Sequence, residues 1–206
     1  MKKTMAIAGV TLGLMASGAN AAVINFDEFS VFGNNTLSIP NGYAGFNWNN
    51  WGVLNSTTYA ASSGYRVGAI SQNNVSFNSG GNPANFSSSG SSFTVNSLWF
   101  TAAWNDGLSV TFTGYDASNN IVRTITVNTS ATSRYFYELN WAGIYKFGVA
   151  STGGTQHAGY TGAGTQVAID DITVNAVNSA PVPVPATLGL LGLGLAGIGA
   201  ARRKQA

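Results

Sequence analysis

The sequence predicts an all-β protein, an antiparallel β-sandwich of jelly-roll-like form, preceded by a signal peptide and followed by a single C-terminal transmembrane helix. Three observations lead there. The aromatic residues, 5 Trp, 8 Tyr and 11 Phe, all fall between Phe26 and Tyr160, among many Gly, Ser, Asn and Thr and few charges. β-Branched and aromatic side chains suit a pleated surface, while Asn and Gly supply turn conformations. Within that region apolar and polar residues alternate in short runs, and each end of the chain is an apolar stretch with basic residues at its outer edge.

Residues 1–21 read as the signal peptide. Lys2 and Lys3 precede the apolar run 5–14, and Ala19-Asn20-Ala21 is a small-x-small cleavage site, so the mature chain is expected to begin at Ala22. Residues 22–174 form the sandwich domain. Strand candidates are 23–27, 45–48, 65–70, 75–77, 92–100, 134–137, 144–150 and 167–174. The clearest are 108–115 and 121–127, which flank the turn-rich Asp116-Ala117-Ser118-Asn119-Asn120 as a hairpin. The Gly/Ser-rich stretches 79–90 and 151–165 read as long loops. Residues 175–182 are a linker, and 183–206 a tail whose apolar run, 186–201, ends in Arg202-Arg203-Lys204. As a helix that run is about 24 Å long, enough to span a locally thinned bilayer with the basic end snorkelling. The positive end stays cytoplasmic and the domain lies outside.

Net charge is +2 overall, but the excess sits at the two ends. Within the domain Arg66, Arg123, Arg134 and Lys146 face Asp27, Glu28, Asp106, Asp116, Glu138, Asp170 and Asp171, leaving −3. No basic stripe exists for nucleic acid. With no cysteine, disulfides play no part.

The tail resembles the PEP-CTERM sorting signal. Pro183-Val184-Pro185-Ala186 occupies the place of the Pro-Glu-Pro motif, with Val184 for the acid, as in variant tails reading Val-Pro-x-Pro-Ala; the apolar run and Arg202, Arg203 and Lys204 follow in order. The resemblance implies export by the general secretion machinery and recognition by an exosortase, a membrane transpeptidase that cuts near the motif. It also implies a route from an inner-membrane intermediate, with the domain in the periplasm of a Gram-negative cell, to the cell surface or an exopolysaccharide matrix.

The body is similar to jelly-roll domains of the galactose-binding or carbohydrate-binding type, on Phe26-Asp27, the stretch 39–48 and Ala168-Ile169-Asp170-Asp171-Ile172-Thr173-Val174. Such domains carry a structural Ca²⁺ where first and last strands meet, which would gather Asp27 with Asp170 or Asp171, calcium taking 6–8 oxygens. The other use for one of these acids is to cap a turn or pair with an arginine. Adjacent strand residues point to opposite faces, so neither Asp170 with Asp171 nor Asp27 with Glu28 makes a glycosidase pair.

Tyr43, Trp48, Trp51, Trp104 and Tyr160, each beside Gly or Asn, are the candidates for an exposed glycan-stacking set, with core packing the competing use of any one of them. Trp99 and Trp141 are assigned to the core. His157, the single histidine, has no carboxylate near it in sequence, and no catalytic residue is assigned. The leading function is a non-catalytic surface or matrix protein that binds or packs within polysaccharide. A secreted polysaccharide-cleaving enzyme and a protein-binding adhesive or structural module are the alternatives.

Overall fold

The computed structural model describes residues 21–60 and 62–175. The chain divides into two compact units, Met1–Ala176 and Val177–Ala206, and the described residues belong to the first. In chain order the strands are β1 (Ala22–Ile24), β2 (Thr36–Ser38), β3 (Asn47–Asn49), β4 (Trp51–Asn55), β5 (Asn74–Asn78), β6 (Ala84–Ser87), β7 (Phe93–Ala102), β8 (Asn105–Tyr115), β9 (Ile121–Thr129), β10 (Tyr135–Ile144), β11 (Lys146–Gln156) and β12 (Val167–Val174). One short helix, α1 (Gly64–Gly68), lies between β4 and β5. Every strand pair is antiparallel. A seven-stranded sheet runs β10-β7-β12-β5-β4-β2, with β1 also on β12, and a five-stranded sheet runs β3-β6-β11-β8-β9.

The predicted hairpin is β8–β9, in register from Leu108↔Thr129 to Tyr115↔Ile121. Its turn is held by Asp116, whose Oδ1 accepts from the amides of Ser118 and Asn120. In β8 the alternation puts Leu108, Val110 and Phe112 inside. Their facing partners are Leu98 and Phe100 of β7 and Ile169 and Ile172 of β12, all buried. Phe100 meets Phe112 edge-on at 5.1 Å between ring centroids, and Phe112 stacks on Phe147 at 5.8 Å, so ring contacts run through the core.

Two expectations about elements are corrected. The stretch 65–70 is a helix followed by extended chain because Gly64 packs against β7 so closely that a Cβ would lie 1.8 Å from the carbonyl oxygen of Ala102. The stretches 79–90 and 151–165 hold sheet structure: Ala84–Ser87 pairs with β3 and β11, and Ser151–Gln156 extends β11 along β8.

The seven-stranded sheet is covered over one face and part of the other. Its inner face meets the five-stranded sheet. Its outer face carries a second cluster of Leu54, Val75, Phe77 and Ala168, covered by Tyr65, Ala103 and Trp104. Along this outer face run α1 and the following residues 69–71. Gly68 lies on Thr101 and Ala168, and the Ile70 amide donates to Asp170 Oδ2 at 2.7 Å.

Among the described residues, no helix is long and apolar enough to cross a membrane. The expected signal peptide, linker end and transmembrane run 186–201 lie outside the described residues.

Candidate functional site

The first and last strands do meet. β1 pairs with β12 through Ala22↔Val174, Val23↔Thr173 and Ile24↔Ile172. A register shift in β12 between Asp170 and Thr173 puts an extra residue into the strand, with Asp171 at φ 47, a left-handed backbone that Asp tolerates better than most. Asp27 follows Phe26 (φ 63) just past β1. Burial raises the Asp171 carboxyl above the usual carboxylate range, the charge of Asp27 adds to this, and the Ser71 hydroxyl opposes it. Both carboxylate oxygens of Asp27 are buried and find no hydrogen-bond partner. An orphaned buried carboxylate is costly, so this pair fits a cation better than it fits nothing.

Asp170 is a different case. Fully buried, its Oδ2 accepts from the Ile70 amide at 2.7 Å and from the Ser71 amide and hydroxyl, and its Oδ1 accepts from the Asp171 amide at 2.8 Å. Burial pushes its carboxyl up to about 7 against the pull of those amides. It is the anchor of residues 70–71 on the sheet. Among the described residues no group of three or more His, Cys, Asp or Glu side chains could hold a metal ion. Of the two acids expected beside Asp27, Asp170 has both oxygens engaged by backbone amides, and Asp171 is the one that lies with Asp27.

The expected exposed aromatic set does not form. Trp48, Trp51 and Trp104 are 7%, 2% and 5% exposed. Trp48 belongs to the core between Phe26, Trp51 and Phe86, its Nε1 donating to the Tyr43 carbonyl at 2.9 Å. Trp104 lies under the second cluster, edge-on to Tyr65 at 5.6 Å. Gly162 packs flat against its indole, where a Cβ would be 2.3 Å away. Tyr43 and Tyr160 are half-buried, the first among Phe26, Phe29 and Trp48, the second against Trp104 and His157.

An aromatic platform exists elsewhere. Trp99 of β7 and Phe136 of β10 are register partners on the outer face of the seven-stranded sheet, with ring centroids 5.0 Å apart. Phe136 is 46% exposed and Trp99 partly buried outside the core cluster, so Trp99 is not the core residue expected from sequence; Trp141 does pack against the core. On its other side Trp99 is paired with Asp170, which explains its half-burial beside residues 70–71. The signal in the sequence is the parity of 135–138, in which Phe136 and Glu138 share the exposed face while Tyr135 and Tyr137 turn inward.

Just before β10 the chain borders an open pocket of about 490 Å³, lined by Ser62, Ser63, Arg66, Val67, Thr132, Arg134 and Tyr160. Its rim is fixed from below by Asp106. The Asp106 Oδ1 accepts from the Ser130 hydroxyl at 2.6 Å and the Ala131 amide at 3.0 Å, and Oδ2 lies 2.5 Å from His157 Nδ1. Tyr160 then donates to the Ala131 carbonyl at 3.1 Å. These bonds hold the Asp106 carboxyl below its ordinary range, the Ser130 hydroxyl contributing most and His157 next. The histidine that stood alone in sequence thus has a carboxylate partner in the fold.

The sorting residues Pro183, Val184, Pro185, Ala186, Arg202, Arg203 and Lys204 lie outside the described residues. In sequence, residues 181–204 match the PEP-CTERM protein-sorting motif. The chain is thereby an exported, envelope-sorted protein, and the motif implies processing by an exosortase. No curated protein matches the chain. Among solved structures, it is similar to a DUF4465 family protein from Bacteroides caccae, with a TM-score of 0.57 at 13% identity over 76% of this chain and 99% of that one. A DUF4465 family protein from Bacteroides ovatus follows at 0.47 and 9%, over 75% and 98%. TmCBM61 in complex with β-1,4-galactotriose gives 0.39 and 15%, over 67% and 95%. The first likeness establishes the sandwich fold, and at that identity it speaks to fold alone.

Proposed function

We propose that this is a protein of the cell surface or extracellular matrix whose sandwich binds, or packs within, exopolysaccharide without cleaving it. The observation that carries the reading is the Trp99–Phe136 pair, with Trp99 partly buried and Phe136 46% exposed, on the open part of the outer sheet face, in a chain whose residues 181–204 match a sorting motif. Sugar rings present C–H faces that pack on aromatic rings, and a tilted pair on rigid strands offers such a surface already formed. On this reading the run 186–201 holds the chain in the inner membrane with the domain in the periplasm until an exosortase acts near Pro183-Val184-Pro185. The strand order supports a jelly-roll-like winding, since from β5 onward the chain changes sheets at every step except β8 to β9.

Calcium belongs to the same proposal as a structural ion. Asp27 and Asp171 would supply its carboxylate oxygens, and backbone carbonyls and water the rest. The ion would answer the orphaned Asp27 oxygens and join the first strand to the last.

The deciding experiment mixes the full-length chain with the exopolysaccharide of its own cells and measures both retention and reducing ends. Retention with no new reducing ends, lost on Trp99→Ala with Phe136→Ala, is the expected result. New reducing ends would favour a polysaccharide-cleaving enzyme, and retention unaffected by both substitutions would move the contact away from this face.

A further inference from the structure

The glycan-facing side of the domain carries a charge feature at odds with the rest of it. The described domain has four basic and seven acidic residues. Two of the four, Arg66 from α1 and Arg134 just before β10, line one pocket, which no acid lines. The other two, Arg123 and Lys146, lie on the five-stranded sheet, where Lys146 sits over the Tyr115 ring at 3.8 Å. Neither Arg66 nor Arg134 has a carboxylate partner: among the described residues the ion pair present is His157 with Asp106. The oxygens of Asp106, the acid of that pair, are taken by Ser130, Ala131 and His157.

We propose that this pocket binds an anionic sugar, one bearing a carboxylate or sulfate, as a unit of the polysaccharide that lies on Trp99 and Phe136. This rests on the reading of the outer face as a glycan surface, and it names the class of glycan. A guanidinium presents a planar fork of donors that matches a carboxylate or sulfate oxygen pair, and two such forks on one pocket outweigh the general negative charge of the domain at short range. Thr132 and Ser62 stand at the same opening as exposed hydroxyls for sugar hydroxyl groups, and Tyr160 offers the edge of a half-buried ring. The pocket's volume is in the range of small-ligand sites. Position completes the argument. Arg134 stands just before β10 and two residues before Phe136, so no more than about 7 Å of chain separates them and one extended glycan can reach pocket and platform together.

The test is affinity electrophoresis of the full-length chain in mild detergent, in gels holding polygalacturonate, its carboxyl-reduced neutral form, or a sulfated galactan. The acidic polymers are expected to retard the protein at least about tenfold more strongly than the neutral one, a difference that shrinks as salt is raised. Arg66→Gln with Arg134→Gln should bring the acidic polymers down to the neutral level while leaving the melting temperature in place. The basic tail is unchanged in that variant, so its attraction to the polymers cancels. Arg123→Gln, on the opposite sheet, should have no effect. Carboxylate and sulfate are told apart by which acidic polymer binds more tightly. Equal retardation by acidic and neutral polymers would overturn the charge preference and leave glycan binding standing. An Arg123→Gln effect as large as that of Arg66→Gln would reduce the result to overall charge and overturn the site. Failure of all three polymers to retard the protein would remove this proposal together with the reading beneath it.

Discussion

Nδ1 of His157 lies 2.5 Å from Oδ2 of Asp106, joining residues fifty-one positions apart across the loops that border the arginine pocket. The same carboxylate accepts from Ser130 and Ala131, so one side chain gathers two loops. Its carboxyl titrates below the ordinary range when folded, so the folded state binds the proton less readily than the unfolded one. The stability this contributes is present above the unfolded value of 3.8 and is lost as pH falls through the lower, folded one. Asp106→Asn should therefore lower stability at neutral pH, and the variant's stability should converge on that of the unsubstituted protein as pH falls below about 4, giving a flatter acid limb. At 42% side-chain exposure, solvent screening keeps the effect under about 1 kcal/mol. Denaturant melts between pH 2 and 7 give the measurement, and an acid limb identical in the variant would refute the assignment.

Phe100 and Phe136 separate packing from display. Phe100 is 1% exposed between Phe112 and Tyr135, and Phe100→Ala should cost about 3–5 kcal/mol. Phe136→Ala, on the outer face, should stay within about 0.5 kcal/mol in stability while weakening retention on polysaccharide. Urea melts of the two variants beside the retention assay check both halves.

Gly64 allows α1 to approach β7. Gly64→Ala would place a Cβ 1.8 Å from the Ala102 carbonyl oxygen, a backbone atom that cannot swing aside. Overpacking of this kind costs about 1–3 kcal/mol or more. Because α1 carries Arg66 and Val67 to the pocket, the substitution should also weaken acidic-polymer binding, which thermal melts and gel retardation together would register.

A calcium ion shared by Asp27 and Asp171 predicts a stability gain in excess Ca²⁺ over excess chelator. At roughly 100 times the dissociation constant the gain is about 2.7 kcal/mol, a melting-temperature rise of about 5–10 °C. Asp27→Asn should abolish the rise. An unsubstituted protein that melts alike in calcium and chelator would exclude the ion, and a rise surviving Asp27→Asn would place it elsewhere.

Removal of the tail should change where the protein goes and leave the sandwich as it is. Full-length chain is expected to sediment with membranes, and a version ending at Ala180 to remain in the supernatant with the same β-type circular dichroism. Equal sedimentation of both would count against the apolar run 186–201 as an anchor.

Alternation was enough to read the hairpin, since Leu108, Val110 and Phe112 turn inward in a strand of full length with one wet face. It failed where strands are short. The stretch 45–48 reads as a strand, but Asn47 and Asn49 around Trp48 suggest an exposed ring, whereas three residues of β3 suffice to aim the indole at the core. Trp99 was misread for the converse reason. An apolar run of Leu98, Trp99 and Phe100 suggests burial throughout, but pleating sends the middle residue to the outer face, where α1 ends short of covering it. The meeting of Asp27 with Asp171 followed from placing first and last strands together, whereas the amides that occupy Asp170 come from residues 70–71, a hundred positions away and beyond any local pattern. The two arginines are sixty-eight residues apart in sequence for the same reason: long-range register, not spacing, brings α1 to β10.

β12 enters the sheet between β7 on one side and β5, then β1, on the other, and at its end the Asn175 amide donates to the Thr94 carbonyl while the Asn175 side chain accepts from the Thr94 amide. Whatever pulls on the chain beyond Asn175 pulls along this inner strand. The tension is then carried in shear by hydrogen bonds on two flanks loaded together, where an edge strand would peel away one bond at a time. A body held by its C-terminal end against flowing water would thus meet drag with an inner strand rather than an edge one.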